Sequence, residues 1–511
     1  MKSISNGLAE LQAGNINAAE AICRQILASK PRDPEALNLR GMIAQHRGDF
    51  ASAVASYQDA ISVRPDAAGF HNNLGVSLSA LGRVSEAADR FRRAAELNPQ
   101  SAQIHLNFGN ALRTLGSIAE SVDALQRAAA LLPAYAEARN SLAMSLYLAG
   151  DLEGSLAEFQ AAVSLRPDFA SAWSNMANVL RDFGRLDEAA AAYRRALAIQ
   201  ADHPDAHKNL AILRLLQGDY DNGFLEYEWR WKCDNAQLRK FDRPRWAGED
   251  PSGKTVFIYE EQGYGDVIQF SRYAKVLADR GAKAIIGCRP ELARLMSCCH
   301  GVSQVVAAGQ PMPKFDLHCP LLSLPLFCGT KSLADVPAHV PYFDLRPEIT
   351  QPWKDRLGPP TRRRIGLCWA GNPENRNDRY RSIPLEKLVP LASAGSFEFH
   401  SLQLGPAAAE RERVPAPSLV NHEPALKDFA DTAALIEQLD LVITVDTSVA
   451  HLAGALAKPT WLLLPTAPDW RWLLERTDSP WYPTARLFRV TQDWDQLISQ
   501  LASELATRYG A

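Results

Sequence analysis

The chain has 511 residues, 47% of them apolar and 22% charged, a balance that excludes wholesale disorder. At roughly 100 to 200 residues per domain it also excludes a single small module. Lysine and arginine number 55 against 58 aspartate and glutamate, a formal net charge of −3, so no global basic field draws the chain to DNA or RNA.

The first 15 residues lack a basic stretch followed by an apolar core, and nowhere do about 18 uncharged apolar residues run together. A cytoplasmic protein without membrane insertion is expected. The eight cysteines are scattered, which predicts small apolar filler in a reducing compartment rather than a zinc or disulfide framework. No metal site is expected.

Glycines stand at Gly14, Gly48, Gly82, Gly116, Gly150, Gly184 and Gly218, each 34 residues from the next. Prolines keep the same step at Pro31, Pro65, Pro99, Pro133 and Pro167. A small residue recurs seven positions before each glycine: Gly7, Gly41, Gly75, Gly109, Ala143, Ala177 and Ala211. A second small residue follows in each unit (Ala53, Ala87, Ser121, Ser155, Ala189), then a bulky one (Tyr57, Phe91, Leu125, Phe159, Tyr193, Tyr227). This is the period and packing pattern of tetratricopeptide repeats. Two helices per unit cross closely where side chains are small, and proline ends the second helix. About seven units are predicted over residues 1–237, stacked as a right-handed superhelix. The seventh lacks the terminal proline and carries Trp229 and Trp231, a pair read either as docking onto the following domain or as a cap on an exposed core.

Asn73, Asn107, Asn175 and Asn209 stand two residues before the small position of the first helix in four units, with Ser141 in a fifth. An asparagine amide both donates and accepts, so a row of them at one repeat spacing can clamp an extended polypeptide backbone without reading its sequence. Asparagine is also common at this position in repeats with other ligands, and the row is equally read as a repeat feature.

Residues 241–254 turn polar with prolines and glycines and read as a linker. Beyond it, β-branched runs alternate with helical stretches: strand 255–259, helix 267–280, strand 284–288, helix 291–298, strand 303–307. After a proline-rich crossing at 347–360 a second set follows: strands 364–369 and 397–402, helix 431–439, strand 441–445, helix 449–457 and strand 460–464. Two Rossmann-like halves are predicted, 238–350 and 351–511, with a cleft between them. A C-terminal helix is expected near 494–509.

Three stretches carry candidate chemistry. In Glu261-Gln262-Gly263-Tyr264-Gly265-Asp266 two glycines let the backbone approach a ligand, and Asp266 is read either as a general base at the cleft or as a helix N-cap. In Cys368-Trp369-Ala370-Gly371-Asn372-Pro373, followed by Arg376, Asn377, Asp378, Arg379, Tyr380 and Arg381, the arginines offer forked donors to a diphosphate or carboxylate; the alternative is a solvated basic loop. The third is Leu441-Val442-Ile443-Thr444-Val445-Asp446-Thr447-Ser448-Val449-Ala450-His451. A buried strand delivers Asp446, the next helix opens at Thr447 and Ser448 with its positive end free, and His451 lies one turn on along the same face. An anion site is expected there; the bland reading makes Thr447 and Ser448 caps and His451 a core residue.

Across essentially the whole chain the sequence resembles bacterial tetratricopeptide-repeat glycosyltransferases, whose catalytic half looks like both the lipopolysaccharide heptosyltransferases and the O-GlcNAc transferases. The likeness is carried by the repeat ladder, residues 261–266 and 369–377, Asp431-Thr432, residues 446–451, Pro468-Asp469-Trp470-Arg471-Trp472 and Ser479-Pro480-Trp481-Tyr482. It implies an α-solenoid followed by an α/β GT-B fold of two Rossmann-like domains, metal-independent, with the donor sugar held by the C-terminal half. Asp266 matches the family's acceptor-activating base. Donor binding would fall to Gly371, Asn372, Arg376, Asn377, Arg379, Gln403, Asp431, Asp446, Thr447, Ser448 and His451. Acceptor binding would fall to Asn73, Asn107, Asn175, Asn209, Gly263 and Gly265. The resemblance implies no cofactor beyond a nucleotide-sugar co-substrate, of CMP or UDP type, and a protein acceptor in the repeat groove, with flagellin as a candidate. O-GlcNAc transferases use a lysine at the diphosphate; none occurs here between Lys354 and Lys387, so Arg376 or Arg379 would substitute. Two other readings stay open: heptosyltransferase-like transfer to a small or lipopolysaccharide acceptor, and a non-catalytic repeat adaptor with a relic GT-B domain.

Overall fold

The computed structural model describes residues 3–233, 238–375, 378–414 and 419–510. By internal contacts the chain divides into two compact units, Met1–Ala206 and His207–Ala511.

Helices in the first part come in pairs: α1 (Ile4–Gln12) with α2 (Ile16–Ser29), α3 (Pro34–His46) with α4 (Phe50–Val63), α5 (Ala68–Ala80) with α6 (Val84–Leu97), α7 (Ala102–Thr114) with α8 (Ile118–Leu131), α9 (Ala136–Ala149) with α10 (Leu152–Leu165), and α11 (Ala170–Asp182) with α12 (Leu186–Ile199). A seventh pair, α13 (Pro204–Leu216) and α14 (Tyr220–Tyr227), begins at the division between the units. The 34-residue glycine step has a backbone cause. All seven turn glycines adopt φ between 74° and 88°, a left-handed conformation that a side chain disfavours. The small position seven residues before each turn glycine has a packing cause. A Cβ on Gly41, Gly75 or Gly109 would come within 2.5–2.6 Å of Tyr57, Phe91 or Leu125, the bulky residue of the same unit. Where the facing small residue is serine, its hydroxyl is spent locally: Ser121 donates to the Gly109 carbonyl at 2.7 Å and Ser155 to that of Ala143 at 2.8 Å.

The second unit holds two parallel sheets. The first contains β1 (Thr255–Tyr259), then α15 (Tyr264–Phe270), α16 (Tyr273–Asp279), β2 (Lys283–Cys288), α17 (Pro290–Met296), β3 (Val302–Ala307) and β4 (Leu317–Pro320), with strand order β3-β2-β1-β4. After α18 (Leu324–Cys328) and α19 (Pro347–Leu357) comes the second: β5 (Arg363–Cys368), α20 (Asp378–Arg381), β6 (Phe397–Ser401), β7 (Leu419–Asn421), α21 (Phe429–Glu437), β8 (Leu441–Val445), α22 (Ser448–Ala455), β9 (Thr460–Leu464), β10 (Ala485–Arg489) and α23 (Trp494–Tyr509). Its order, β10-β9-β8-β5-β6-β7, is the doubly wound 3-2-1-4-5-6 pattern in the sheet's own numbering. β8 is buried at every position, as a central parallel strand covered on both faces must be. Leu497, Ile498, Leu501 and Leu505 of α23 join Ile365, Leu367, Ile443 and Trp461 in one core.

Several expectations are corrected. The single helix expected at 267–280 is two helices joined at Ser271–Arg272, where Arg272 Nε donates back to the Gln269 carbonyl at 2.9 Å. The crossing at 347–360 contains α19, which opens with Pro347 in its first turn, where a missing N–H costs nothing. Strands β4, β7 and β10 were not foreseen. Trp229 stacks on His207 at 3.8 Å, while neighbouring Arg230 is buried against Glu261 at 2.9 Å, Glu228 at 2.7 Å and Ser323 at 2.8 Å. Tyr220 accepts from Trp481 Nε1 at 3.2 Å and, with Phe224, packs edge-on to Trp470.

Candidate functional site

In each sheet the strand order reverses beside one central strand, and the carboxyl ends there open a crevice. For the first sheet that end is the turn 260–266 after β1. For the second it is the paired ends of β5 and β8. The same side chains close both ends on one another: a Cβ on Gly265 would sit 2.7 Å from His451 Cδ2, and Arg471 bonds Asp266. Residues 261–266 and 446–451, 180 positions apart, therefore share one crevice.

Asp266 is the third residue of α15, not its N-cap; the cap is Gly263, whose N–H donates to Asp266 Oδ2 at 2.8 Å. Oδ1 accepts from Arg471, a guanidinium that also donates to Asp469 at 2.8 Å and to Gln269 at 2.6 Å. Burial pushes the Asp266 carboxyl up, against the opposing pull of Arg471. Two of its roughly four lone-pair sites are taken.

Thr447 caps α22, its hydroxyl accepting from Val449 N–H at 3.3 Å and lying 3.3 Å from Thr444 Oγ1. Ser448 is half-buried, and its hydroxyl has no hydrogen-bond partner among the described residues. Asp446 is buried at the end of β8. Burial first, and then the neighbouring Asp469 charge, push its carboxyl up to about 6. His451 is buried, stacked at 5.3 Å on Trp472, with Nδ1 3.0 Å from Tyr482 Oη. Burial and the charges of Arg471, Arg272 and Arg381 hold its imidazole well below the ordinary histidine range, so it is neutral.

Gly371 leaves room for Asp378 and Arg381, and its N–H donates to Ser382 Oγ at 3.0 Å. Asp378 binds both Arg381, at 3.1 Å, and Ser382, at 2.7 Å. Asn372 is exposed and makes a local turn, accepting from Glu374 N–H at 3.1 Å. Gln403 spends its amide on the loop after β5: Oε1 accepts from the N–H groups of Trp369 (3.0 Å) and Ala370 (2.9 Å), and Nε2 donates to the carbonyls of Ala370 and Leu404. It holds the crevice wall rather than facing into it. Asp431 is likewise buried, accepting from Trp353 Nε1 at 3.4 Å and Lys427 N–H at 3.1 Å. Arg376 and Asn377 lie outside the described residues, as does the side chain of Arg379.

Arg471, Asp469 and Tyr482 stood within stretches singled out in the sequence, but nothing there gave them roles. Arg272 had no signal at all. It is 2% exposed and, among the described residues, lacks a carboxylate partner: it donates to the carbonyls of Gln269, Trp481 and Pro337 and to Tyr342 Oη. Among the described residues, no three metal-ligating side chains converge, and no helix is long and apolar enough to cross a membrane.

In the repeats the asparagines form a zipper. Asn73 donates to Asn38 Oδ1 at 3.1 Å, Asn107 to Asn72 at 2.8 Å and Asn175 to Asn140 at 3.4 Å, each reaching the preceding unit. Between α7 and α9 the corresponding pair is Leu106 and Ser141, and no such bond is made. Asn209 lies on α13, at the start of the second unit.

Comparison with known proteins agrees with the repeat architecture. Tetratricopeptide-repeat models match residues 5–61, 42–102, 106–170 and 168–222. Protein FlbA of Caulobacter vibrioides is 26% identical over 326 residues, 58% of this chain and 54% of FlbA, so the chain spans about half the length of that relative. Solved structures resembling it include YrrB, described as a tetratricopeptide-repeat protein with an unusual peptide-binding site (23% identity, 36% of this chain and 95% of that one, TM-score 0.32). PilW, a type IV pilus biogenesis factor, matches at 23% identity over 41% of this chain and all of its own, with TM-score 0.38. PilF of Pseudomonas aeruginosa matches at 20% identity over 41% and 95%, with the same score. The chain carries tetratricopeptide repeats within residues 5–222, and its C-terminal part is an α/β unit with parallel sheets.

Proposed function

We propose that the α/β unit is a GT-B glycosyltransferase, and that it moves a sugar from a nucleotide-sugar donor to serine or threonine of a protein held by the repeats. The observation that carries this reading is the meeting of two strand-order reversals, where His451 of α22 lies against the glycine turn before Asp266 and the charges of Arg471, Arg272 and Arg381 bear on that histidine. Such a site suits a phosphate leaving group. In the reaction the acceptor hydroxyl oxygen bonds the anomeric carbon, its proton passes to Asp266, and the bond from that carbon to the nucleotide's phosphate oxygen breaks. The released negative charge is taken up by the amides at Thr447 and Ser448 and by the arginines. Flagellin is the acceptor we favour, on the family resemblance and the likeness to FlbA.

A thermal-shift screen with UDP, CMP, ADP and GDP tests the donor site. A nucleotide at about 100 times its dissociation constant adds about 2.7 kcal/mol; no shift with any of the four would defeat the proposal. The engagement of both Asp266 oxygens, one by Arg471 and one by Gly263, favours one second reading, a nucleotide-binding module that does not transfer. Asp266→Asn separates the two: loss of transfer with nucleotide binding retained supports the transferase.

A further inference from the structure

The crevice histidine carries more information than its position. Tyr482 is fully buried, its ring lying against Gly454, where a Cβ would collide with it. Gly454 and His451 are three residues apart on α22 and so share a face. The bare glycine lets the tyrosine lie along that face, bringing its Oη to 3.0 Å from His451 Nδ1.

Counting protons fixes who donates. A buried tyrosine hydroxyl has one proton to place, and two neighbours could take it: His451 Nδ1 at 3.0 Å and the Tyr342 hydroxyl. The neighbouring Tyr342 hydroxyl has spent its own proton on the Ile268 carbonyl at 3.0 Å and accepts from Arg272 at 3.2 Å. The guanidinium of Arg272 lies 4.7 Å from the centres of both tyrosine rings and can only donate. Tyr342 is thus already engaged both as donor and as acceptor, and of the two neighbours it is Nδ1 that stands in hydrogen-bond geometry with the Tyr482 hydroxyl, so the geometry points to Nδ1 as the acceptor and to Nε2 as the site of the single ring proton. That nitrogen is turned to the α15 turn, 3.4 Å from where a Cβ on Gly265 would stand, and bonds none of the described residues.

We propose that Tyr482 is a positioning residue that fixes His451 as the neutral Nε2–H tautomer, giving the crevice an uncharged proton donor for an oxygen of the donor's phosphate. The phosphate part rests on the transferase reading above; the tautomer does not. Arginine charges dominate around the ring, the Asp266 carboxylate next to Gly265 being paired with Arg471. Arg471, Arg272 and Arg381 all oppose a second proton, and Trp472 stacked on the ring brings no charge. The site thus keeps a directional N–H while its positive charge stays on arginines, which do not titrate.

The test uses the full chain with 15N-labelled histidine imidazoles, the His451 signals being identified by their absence in His451→Gln. Wild-type protein is expected to show a protonated-type Nε2 and a bare Nδ1, unchanged as the pH passes through about 6.5, where an ordinary histidine titrates. A proton on Nδ1, or titration near that pH, overturns the assignment, and the wild-type spectrum alone decides it. Tyr482→Phe should abolish the single tautomer and move both ring-nitrogen signals; unmoved signals in the folded variant overturn the role of Tyr482. Adding UDP, CMP, ADP and GDP in turn then separates the two layers. With the tautomer as stated, a shift of Nε2 by one of them supports the phosphate contact. No shift by any of them removes that contact and leaves the tautomer standing.

Discussion

Arg471 and Asp266 are 205 residues apart in the chain and form one ion pair across the crevice, the guanidinium coming from the segment after β9 and the carboxylate from the first turn of α15. The pair joins the two sheets at the point where chemistry is proposed. Arg471 also bonds Asp469 and Gln269; its removal would strand the Asp266 carboxylate in a poorly hydrated place, while Asp469 is exposed to solvent. Arg471→Met is expected to cost about 3–5 kcal/mol in urea unfolding, the usual cost of breaking a buried pair from one side. Asp266→Asn should cost less, because an asparagine oxygen still accepts from the Gly263 N–H.

Gly265 makes a sharper stability test, because two effects oppose. Near the start of a helix, alanine in place of glycine gains up to about 1 kcal/mol by propensity. Here the new Cβ would meet His451 at 2.7 Å, and overpacking costs about 1–3 kcal/mol. Gly265→Ala is therefore expected to lower the melting temperature and to shift the His451 ring signals. A gain in stability would show that the two sides of the crevice separate readily.

Asp446 and His422 give pH dependences of opposite sign. The Asp446 carboxyl is raised to about 6 in the folded chain, so its favourable contribution is present below about pH 3.9 and is lost as pH rises through about 6, by about 1.4 kcal/mol per unit. Asp446→Asn should stabilise the protein at pH 7, and that gain should vanish near pH 4.

His422 faces His400 ring to ring, with His422 Nε2 2.9 Å from His400 Nδ1, and burial first and then His400 lower its pKa to about 4. Its contribution is present above about pH 6.5 and is lost as pH falls towards 4. Replacing His422 by Phe should flatten the fall in unfolding free energy over that interval; an unchanged slope would mean that the imidazole is not held neutral.

In the repeats, Asn73→Ala and Asn107→Ala should each cost about 1 kcal/mol without any ligand, because each amide bonds the preceding unit. Hydrogen exchange of α5 and α7 would read this directly. If the groove also clamps a polypeptide, acceptor affinity falls as well.

The repeats were legible because a left-handed glycine and a crowded small residue impose a strict period, and β8 and α22 because a wholly apolar strand followed by Thr447 announces itself. Short pieces were not. β7 has three residues and β4 four, too few for any periodicity to show. The break at Ser271–Arg272 was hidden inside one apolar run. The partner of Asp266 was invisible for a different reason: no local pattern tells an arginine 205 residues away which carboxylate it will meet. The family resemblance puts Gln403 at the donor, whereas the backbone groups that consume its amide appear only once β5 and β6 are paired.

The missing rung between Leu106 and Ser141 divides the asparagine column of the solenoid. Units two to four are stitched to one another by it, as are five and six, but at the junction of four and five other polar groups take its place: Arg113 donates to the Ser141 carbonyl at 3.1 Å, and Ser121 Oγ lies 2.9 Å from Ser145 Oγ. A load on the solenoid therefore meets a directional bond at each junction from the second unit to the sixth, so the loss of one asparagine rung does not by itself make a hinge.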